Sequence, residues 1–358
     1  MTRLIRVSVA IYMAIMASSV LAGPLNHYQL IGSHNSYKQA LFPVVERWLE
    51  QHHPDYATQF RYSQISLTEQ LQAGLRQLEI DVVADPKGGH HAKPWAEQFF
   101  ATPLLSEAQR AALGQPGFKV LHIPGIDFSS ECIAFSDCLA RLKNWSERHP
   151  GHFPLMIMLN AKETQPDFVK QPLPVAFDQT QYQALDALIE QQLGRDKLFV
   201  PDDLRGSHDS LRSAVLQQGW PDLNELKGKF IFVFDANTEQ AELYRSGHKN
   251  LHNRIMFSSY AATADEAAII IANDPIEQQQ QIQQWVKQGF LVRTRADADF
   301  NSSNAQRLAR FTAAKSSGAH WISTDFYPGS PEFTRYHYQV EFEHKQLVRP
   351  NPLFSSHQ

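Results

Sequence analysis

The amino-acid sequence predicts an α/β fold, namely a single-domain (β/α)8 barrel of the TIM type, either regular or distorted. Three observations predict this class. Eight short apolar runs follow one another at intervals that leave room for a helix or a long loop between most of them. Polar residues gather where at least six of these runs end. A chain of 358 residues is long for one β-sandwich and ordinary for a barrel with extended loops.

The eight runs are predicted as strands because they are short, apolar and separated by turn-forming residues. In chain order, the predicted strands are residues 28–31, 75–83, 118–123, 153–159, 229–234, 254–258, 290–294 and 320–324. The predicted helices are residues 183–193, 211–217, 264–272 and 304–316. An open doubly wound sheet is the alternative. It would need a phosphate-binding glycine pattern, and none follows any strand, so no nucleotide cofactor is expected.

The first 22 residues have the composition of a signal peptide. Arg3 and Arg6 precede an apolar run over residues 7–21, and the small residues around Ala22 suit cleavage before Gly23. We therefore expect a secreted or periplasmic protein whose mature part, residues 23–358, forms the barrel. An uncleaved membrane anchor is the alternative, although the run is short for a membrane span.

The charge balance argues against a nucleic-acid partner. The whole chain has a formal net charge of −4, and loss of Arg3 and Arg6 with the signal peptide would make the mature protein more acidic still. Nucleic-acid binding depends on neutralising phosphates with Lys and Arg, so an acidic protein is poorly suited to it.

Cys132 and Cys138 are the two cysteines of the chain, and five residues separate them. In an oxidising compartment so close a pair is predicted to form a disulfide. A ring this small stabilises the fold by roughly 2 kcal/mol or less, so its expected role is to fix the local shape of one loop. A metal site on these thiols is not expected, because no matching histidine spacing accompanies them.

The strand predicted at residues 75–83 carries two carboxylates that can serve one site. Alternate residues of a strand point to the same side, so Glu79 and Asp81 aim into one space while the intervening residues pack the other way. His34 and His122 end two other predicted strands. Carboxylates bind hard cations and imidazoles exchange protons near neutral pH, a combination that suits phosphodiester cleavage.

Further polar residues follow the predicted strands at their carboxyl ends. In a parallel barrel these ends meet on one face, where catalytic sites lie. Charge is costly inside a packed barrel, so the convergence of these residues predicts a functional pocket. They are Asn35, Asn160, Lys162, Arg293, Arg295, Asp297 and Asp325.

Seven sequence motifs resemble those of one enzyme family in their order and spacing. They are GSHNSYK, LEIDVVAD, VLHIPG, PDDLRG, LKGKFIFVFD, LVRTRADAD and ISTDF. The chain resembles the bacterial and fungal calcium-dependent phosphoinositide-specific phospholipase C family, part of the wider phospholipase C-like phosphodiesterase superfamily. The resemblance covers about residues 26–328. It implies a catalytic barrel with Ca²⁺ as the cofactor.

The resemblance also implies roles for five residues. His34 and His122 are similar in position to the two catalytic histidines of the family. Asn35, Glu79 and Asp81 are similar in position to its calcium ligands. These roles are expectations that depend on the resemblance.

The predicted fourth strand departs from the family pattern, because Asn160 stands where the better-known eukaryotic members carry a glutamate ligand. Strand alternation puts Asn160 and Lys162 on one side and Glu163 on the other. Asn160 is therefore expected beside the metal and Lys162 at the phosphate. If the strand bulges or ends early, Glu163 would supply the missing charge instead.

Three more residues are candidates for substrate binding. Arg293 or Arg295 could hold a phosphate through two hydrogen bonds, but both are also placed to form ion pairs with Asp297. Asp325 is expected either in the site or as a cap of the following turn or helix.

By the resemblance, the expected reaction is cleavage of phosphatidylinositol-type phospholipids to diacylglycerol and inositol phosphate. The inositol 2-hydroxyl attacks the phosphate with assistance from the metal. His122 is expected to protonate the leaving oxygen, and His34 to act as a base or to stabilise the transition state. The expected partner is a phospholipid at a membrane surface, bound by a monomeric enzyme.

Two other functional classes stay open. A glycerophosphodiester phosphodiesterase or a phospholipase D-like enzyme would keep the acidic pair and the histidines, although glycerophosphodiesterases usually have His-Arg-Gly where this chain has His-Asn-Ser. A non-catalytic lipid-binding barrel is the other class. Trp48, Phe99, Phe100 and Phe168 stand in loops and form either a lipid-facing rim or local packing.

Overall fold

The computed structural model describes residues 22–354, so the predicted signal peptide, residues 1–22, lies outside the described residues except for Ala22. In chain order the strands are β1 Tyr28–Ser33, β2 Gln77–Asp85, β3 Gly117–Lys119, β4 Leu155–Ala161, β5 Phe230–Phe234, β6 Phe257–Ser258, β7 Ile269–Ile271, β8 Leu291–Arg295, β9 Trp321–Thr324 and β10 Val348–Pro350.

The helices surround these strands and fill the connections between them. They are α1 Pro43–His52, α2 Pro54–Phe60, α3 Leu67–Ala73, α4 Trp95–Phe100, α5 Glu107–Gly114, α6 Phe135–Arg148, α7 Gln179–Leu193, α8 Pro201–Arg205, α9 Leu211–Gln217, α10 Leu223–Leu226, α11 Thr238–Arg245, α12 Gln279–Lys287, α13 Asn304–Ser316 and α14 Pro331–Tyr336. Within the described residues, none of the helices is long and apolar enough to span a bilayer.

The strands form two five-stranded sheets that together make a distorted barrel. Their orders are β10-β1-β9-β8-β7 and β3-β2-β4-β5-β6, and the flanking strands β3 and β10 pair antiparallel. At one junction between the sheets, Ser36 N donates to Glu79 O at 2.8 Å. At the other, a parallel bridge joins Ser259 to Ile269. The parallel strands thus follow the (β/α)8 circuit, and the predicted fold class is confirmed.

The prediction of a barrel strand at residues 118–123 is wrong. In this region Gly117–Lys119 pair antiparallel with the end of β2. The run then continues as a buried loop, in which Val120 N donates to Ile133 O at 2.8 Å. An apolar run indicates that a segment is buried, but it does not identify the strand or helix against which the segment packs.

The prediction of a helix at residues 264–272 is also wrong. The end of this segment forms β7, which pairs in parallel with β8. Three consecutive isoleucines, residues 269–271, favour a strand because their branched side chains are stiff and pack well on a pleated surface. The circuit keeps eight parallel strands because β7 takes the place of the run 118–123.

The strand that carries the predicted acidic pair starts at a well-defined point. Helix α3 begins with a capping box formed by Ser66 and Glu69, and it ends at Gly74, whose φ of +107° only glycine adopts freely. β2 follows and is buried along its whole length. This turn therefore sets the register in which Glu79 and Asp81 enter the sheet.

The predicted disulfide is confirmed. Cys132 and Cys138 are bonded, with their Cα atoms 5.4 Å apart. The bridge ties the loop that follows β3 to the first turn of α6, and both cysteines are buried. It therefore fixes the path of the chain shortly after His122.

Candidate active site

The end of β1 places His34 and Asn35 at the carboxyl-terminal face of the barrel. β1 ends at Ser33, and Asn35 has a left-handed backbone with φ of +41°, which Asn tolerates better than most residues. The Asn35 amide donates from Nδ2 to the Tyr62 hydroxyl at 2.5 Å. Its buried Oδ1 has no hydrogen-bond partner.

Glu79 is buried on β2 and is held by two side chains from other strands. Its Oε2 accepts a hydrogen bond from Arg293 Nη2 at 2.7 Å. Its Oε1 accepts one from Asn160 Nδ2 at 3.1 Å. The carboxylate therefore sits at a fixed position, bound to one cation and one amide.

Asp81, two residues further along β2, leaves one oxygen unpaired. Its Oδ2 accepts from the Tyr37 hydroxyl at 2.8 Å and lies 3.1 Å from Lys162 Nζ, whereas its buried Oδ1 has no hydrogen-bond partner. Buried polar atoms normally have a hydrogen-bond partner. The oxygens of Asp81 and Asn35 that have none are therefore candidate ligands for a cation. A hard cation with oxygen ligands such as Ca²⁺ suits these atoms and the neighbouring Glu79 carboxylate.

The carboxylate content of this candidate cation site is low. Within residues 22–354, no group of three or more His, Cys, Asp or Glu is arranged to hold a metal. Glu79 and Asp81 would therefore need a further oxygen ligand, such as Asn35 Oδ1, to hold a cation, and the neighbouring Asn160 is uncharged.

Asp235 lies next to this group of residues, and the sequence analysis did not select it. β2 and β4 pair Asp81 with Asn160. β4 and β5 pair Leu159 with Phe234, so Asp235 is the next residue across from Asn160. Paired residues of parallel strands point to the same side, and burial raises the pKa of Asp235. Its position directly after a predicted strand was the signal that could have identified it.

Glu163 does not join this group, although it was the alternative source of the missing charge. β4 runs through Ala161 without a break. Glu163 Oε1 accepts from Phe177 N at 2.5 Å, and its Oε2 accepts from Gln240 Nε2 at 2.9 Å. These bonds attach the segment after β4 to α11 and to the residue before the cap of α7.

His34 is positioned by a carboxylate. Its Nδ1 lies 3.1 Å from Asp325 Oδ2, and its Nε2 lies 3.9 Å from Glu79 Oε1. Burial, with a smaller contribution from Arg295, holds the pKa of His34 well below its usual range, and burial raises the pKa of Asp325 to about 7. The imidazole is therefore neutral at neutral pH and can accept a proton.

His122 is positioned by a carboxylate as well, through a tight turn. Its Nδ1 lies 2.7 Å from Asp127 Oδ2. Ile123 and Asp127 exchange backbone hydrogen bonds of 3.0 and 2.9 Å, which return the chain to the histidine. Gly125 in this turn has φ of +92°, a conformation that favours glycine, and a Cβ atom there would also displace the Gln171 side chain, whose Oε1 would lie 2.3 Å away.

A buried lysine contacts the carboxylate that positions His122. Lys38 Nζ lies 3.2 Å from Asp127 Oδ2 and donates to the carbonyls of Phe60 and Tyr62 at 2.7 and 2.8 Å. Lys38 therefore supplies the positive charge beside the carboxylate that contacts His122. The sequence analysis identified neither Lys38 nor Asp127 as a residue that supports the site. Lys38 ends the motif GSHNSYK, but nothing local connects it to a loop 89 residues later.

The two predicted arginines have different surroundings. Arg293 is buried and donates to Glu79 and, at 2.8 Å, to Ser323 Oγ. Arg295 Nη2 lies 3.7 Å from Asp297 Oδ1 and 3.8 Å from Asp325 Oδ2. Arg295 also lines the cavity described next, so it is better placed than Arg293 to meet a phosphate.

A cavity of about 540 Å³ opens onto both histidines. It is lined by His34, Asp55, Gln59, Phe60, Tyr62, His122, Arg295 and residues 298–301. A larger cavity, of about 790 Å³, lies beside Trp220 and Asp222 near the amino end of β5, and it contains none of the predicted site residues. The smaller cavity is therefore the candidate active site, because it alone of the two brings both imidazoles and a guanidinium to one space.

Comparisons with known proteins bear on the family and the fold of the chain. A family model described as "Phosphoinositide phospholipase C, Ca2+-dependent" matches residues 24–352. A calcium-dependent phosphoinositol-specific phospholipase C from the Gram-negative bacterium Pseudomonas sp. has a TM-score of 0.54 at 17% identity, over 91% of this chain and 95% of that one. The Ca²⁺-dependent phosphatidylinositol-specific phospholipase C of Streptomyces antibioticus has a TM-score of 0.55 at 18% identity, over 92% and 99%. At these identities the two structures support the fold. A search of curated proteins gave no match.

Proposed function

The chain belongs to the Ca²⁺-dependent phosphoinositide phospholipase C family, and from this premise we propose that it cleaves phosphatidylinositol-type phospholipids to diacylglycerol and inositol phosphate. It is a phosphoric diester hydrolase, and calcium is its cofactor. The main support for this proposal is that His34 and His122 line one cavity and that the Nδ1 atom of each imidazole contacts a carboxylate.

The candidate cation site stands next to these histidines. Asn35, Glu79 and Asp81 would hold the ion, with Asn160 and Asp235 beside them. Bound calcium would lower the pKa of the attacking inositol 2-hydroxyl and offset the negative charge of the phosphate. This assignment of ligands is part of the proposal.

The protein's own groups then move the protons. His34, which is neutral because it is buried, accepts the proton of the 2-hydroxyl. His122, whose Nδ1 lies 2.7 Å from Asp127 Oδ2, donates a proton to the departing diacylglycerol oxygen. Arg295 orients the phosphate from the cavity wall, and Lys162, paired with Asp81, contributes a second positive charge. The bond to the lipid oxygen breaks as the bond to the 2-hydroxyl oxygen forms, so the first products are diacylglycerol and the cyclic 1,2-phosphate of inositol. Water then opens this ring at phosphorus to give the open inositol phosphate, and the 2-hydroxyl takes back its proton.

The cellular setting is proposed on separate grounds. Residues 1–22 would direct export, and residues 23–358 would act as one catalytic barrel, a monomer at a phospholipid surface. The disulfide between Cys132 and Cys138 supports an oxidising compartment. Amino-terminal sequencing of the protein from periplasmic and culture fractions tests this: a start at Gly23 is expected, and a start at Met1 would refute export by cleavage.

The deciding experiment measures release of water-soluble inositol phosphate from phosphatidylinositol vesicles, with calcium or with a chelator. Wild-type protein is compared with His34→Ala and His122→Ala, and with His208→Ala as a matched control, since His208 is half-buried and lies outside the cavity. We expect calcium-dependent product from wild type and control, and a loss of at least about 10²-fold in each active-site variant, the usual contribution of a general acid or base.

Other outcomes would favour the two remaining classes. Release of glycerol or choline from other phosphodiesters, without action on phosphatidylinositol, would identify a different phosphodiesterase on the same barrel. A calcium-dependent rise in melting temperature with no product from any phosphodiester would identify a non-catalytic binding protein.

A further inference from the structure

A buried tyrosine, Tyr62, lies in the candidate active site and takes no part in the proposed proton transfers. It belongs to the segment that joins α2, which ends at Phe60, to α3, which begins at Leu67. Its side chain is 2% exposed, although it lines the cavity that both histidines share. A buried tyrosine normally uses its hydroxyl in a hydrogen bond, so the partner of this hydroxyl indicates its role.

The hydroxyl of Tyr62 binds a residue of the candidate cation site. Asn35 Nδ2 donates to it at 2.5 Å, and both side chains are buried. An Asn amide has one end that donates and one end that accepts. Because Tyr62 holds the donating end, the accepting end, Oδ1, is left for a cation, and it has no hydrogen-bond partner. Without the hydroxyl, the amide could rotate and present its NH₂ group, which does not ligate a metal ion.

The ring of Tyr62 packs against both imidazoles. Its centroid lies 5.5 Å from that of His34, in a stacked geometry, and 6.1 Å from that of His122, edge to face. Phe300 stacks on the same ring at 5.2 Å. The ring therefore limits the positions of the two histidines, while the hydroxyl limits the orientation of Asn35.

The backbone around Tyr62 is anchored as well. Lys38 Nζ donates to the Tyr62 carbonyl at 2.8 Å and lies 4.6 Å from the ring centroid, within range of a cation–π contact. Two residues later, Gln64 Nε2 donates to the carbonyl of His34 at 2.9 Å. Tyr62 is thus held by its backbone and by its ring, so its hydroxyl has a fixed position from which to orient Asn35.

From these contacts we propose that Tyr62 is a positioning residue for Asn35 as a calcium ligand. Its hydroxyl holds the amide of Asn35 so that Oδ1 binds the ion, and its ring packs against the two imidazoles. Residues that hydrogen-bond a metal ligand set the orientation of that ligand, and their loss typically lowers metal affinity by about 10- to 100-fold. The inference rests on the proposed function for the location of the cation site, but calcium binding can be measured without substrate.

The test is calorimetric titration of calcium into the purified, chelator-treated protein in the absence of lipid. Tyr62→Phe keeps the ring and the backbone carbonyl and removes the hydroxyl alone. Tyr244→Phe is the matched control, because Tyr244 is also buried and its hydroxyl donates to Asp186 Oδ1 at 2.8 Å, outside the cavity. Asp81→Asn identifies the heat that belongs to the candidate cation site, because it removes a carboxylate of that site.

We expect Tyr62→Phe to bind calcium about 10-fold more weakly than wild type, the lower end of the effect of losing such a contact. Tyr244→Phe should bind calcium like wild type, although each variant loses a buried hydrogen bond and should melt at a lower temperature. In the phosphatidylinositol assay, the calcium concentration that gives half of the maximal rate should also rise about 10-fold in Tyr62→Phe. A purely structural role would lower the melting temperature without this shift in calcium dependence.

A second variant, Tyr62→Leu, separates the role of the ring from that of the hydroxyl. It removes the surface against which His34 and His122 pack, and small displacements of catalytic groups are costly. The maximal rate should therefore fall about 10-fold or more even at saturating calcium. Added calcium should recover more of the rate in Tyr62→Phe, which keeps the ring. Equal maximal rates in the two variants would refute the role of the ring.

Three results would overturn the inference about Asn35. Equal calcium affinities of wild type and Tyr62→Phe would show that the hydroxyl does not orient the ligand. Tighter binding by Tyr62→Phe would show that the hydroxyl competes with the ion for Asn35 Oδ1. An equal loss of affinity in Tyr244→Phe would assign the effect to general destabilisation.

The proposed function is tested separately from this inference. Any of the three results leaves calcium-dependent release of inositol phosphate by wild type unaffected. Weaker calcium binding by Tyr62→Phe, in a protein that releases no inositol phosphate from phosphatidylinositol, would refute the proposed function and leave the role of Tyr62 standing.

Discussion

Replacing Lys38 by methionine should destabilise the protein more than any surface charge change, and it should also alter catalysis. Lys38 and Asp127 are both 0% exposed, and their charged atoms lie 3.2 Å apart. Methionine keeps the length and apolar stem of lysine but removes the ammonium. Asp127 then becomes a buried charge without its cation, and the carbonyls of Phe60 and Tyr62 lose their donor.

The magnitude follows from this geometry. Removing one member of a buried ion pair costs about 3–5 kcal/mol, most of it the penalty of leaving the other charge uncompensated. The double variant Lys38→Met/Asp127→Asn should therefore be less destabilised than the sum of the two single variants by about 2 kcal/mol or more. Lys315→Met is the matched control, because its ion pair with Glu343 has the same 3.2 Å separation, but Lys315 is only half-buried and Glu343 is exposed. That pair should contribute less than about 1 kcal/mol.

Urea unfolding at pH 7.5 supplies the free energies of unfolding of wild type and the four variants. A Lys38→Met cost no larger than that of Lys315→Met, or strict additivity in the double variant, would refute the reasoning. In the catalytic assay, an Asp127 without its Lys38 partner should hold the His122 imidazole less firmly. The rate of Lys38→Met should therefore fall even well below its melting temperature, whereas Lys315→Met should keep the wild-type rate.

Three further results are expected. Burial lowers the pKa of His320 to about 3. Between pH 7.5 and 5.5 the unfolded chain therefore binds a proton at this imidazole and the folded chain does not, so His320→Asn should lose about 1.4 kcal/mol less stability than wild type over this range. An equal loss of stability in both proteins would show that His320 does not cause the pH dependence. Replacing Cys132 and Cys138 together by serine should cost roughly 2 kcal/mol or less in urea unfolding, and a cost above about 4 kcal/mol would show a larger role than loop shape. Asp235→Asn should reduce the calcium-induced rise in melting temperature, whereas Glu163→Gln should leave it unchanged; the reverse result would make Glu163 the ligand.

Much of the candidate site could be predicted because strands impose a simple rule on their side chains. The spacing of Glu79 and Asp81 puts both carboxylates on one side of β2, and the ends of parallel strands meet on one face of a barrel. His34, Asn35 and Asn160 reach the site by the same rule. The roles assigned to these residues stay predictions until the variants are measured.

The boundaries of elements were less predictable where an apolar run allows more than one partner. The run 118–123 and the strand Ile269–Ile271 are both short and apolar, yet only the second enters the parallel circuit. The intrinsic preference for strand over other conformations differs little between such segments. Burial against particular neighbours, here β8, decides between them.

The sequence by itself determined the barrel class, the family, the disulfide and the side chains that the strand ends present. The tertiary structure decided which groups support the two histidines. Asp127 reaches His122 through a turn that depends on Gly125, and Lys38 reaches Asp127 across 89 residues of chain. The periodicity of a short segment determines which side of a helix or strand a residue faces. The partner of a loop residue depends instead on which distant segments pack together in the folded protein, and a local sequence pattern does not specify this.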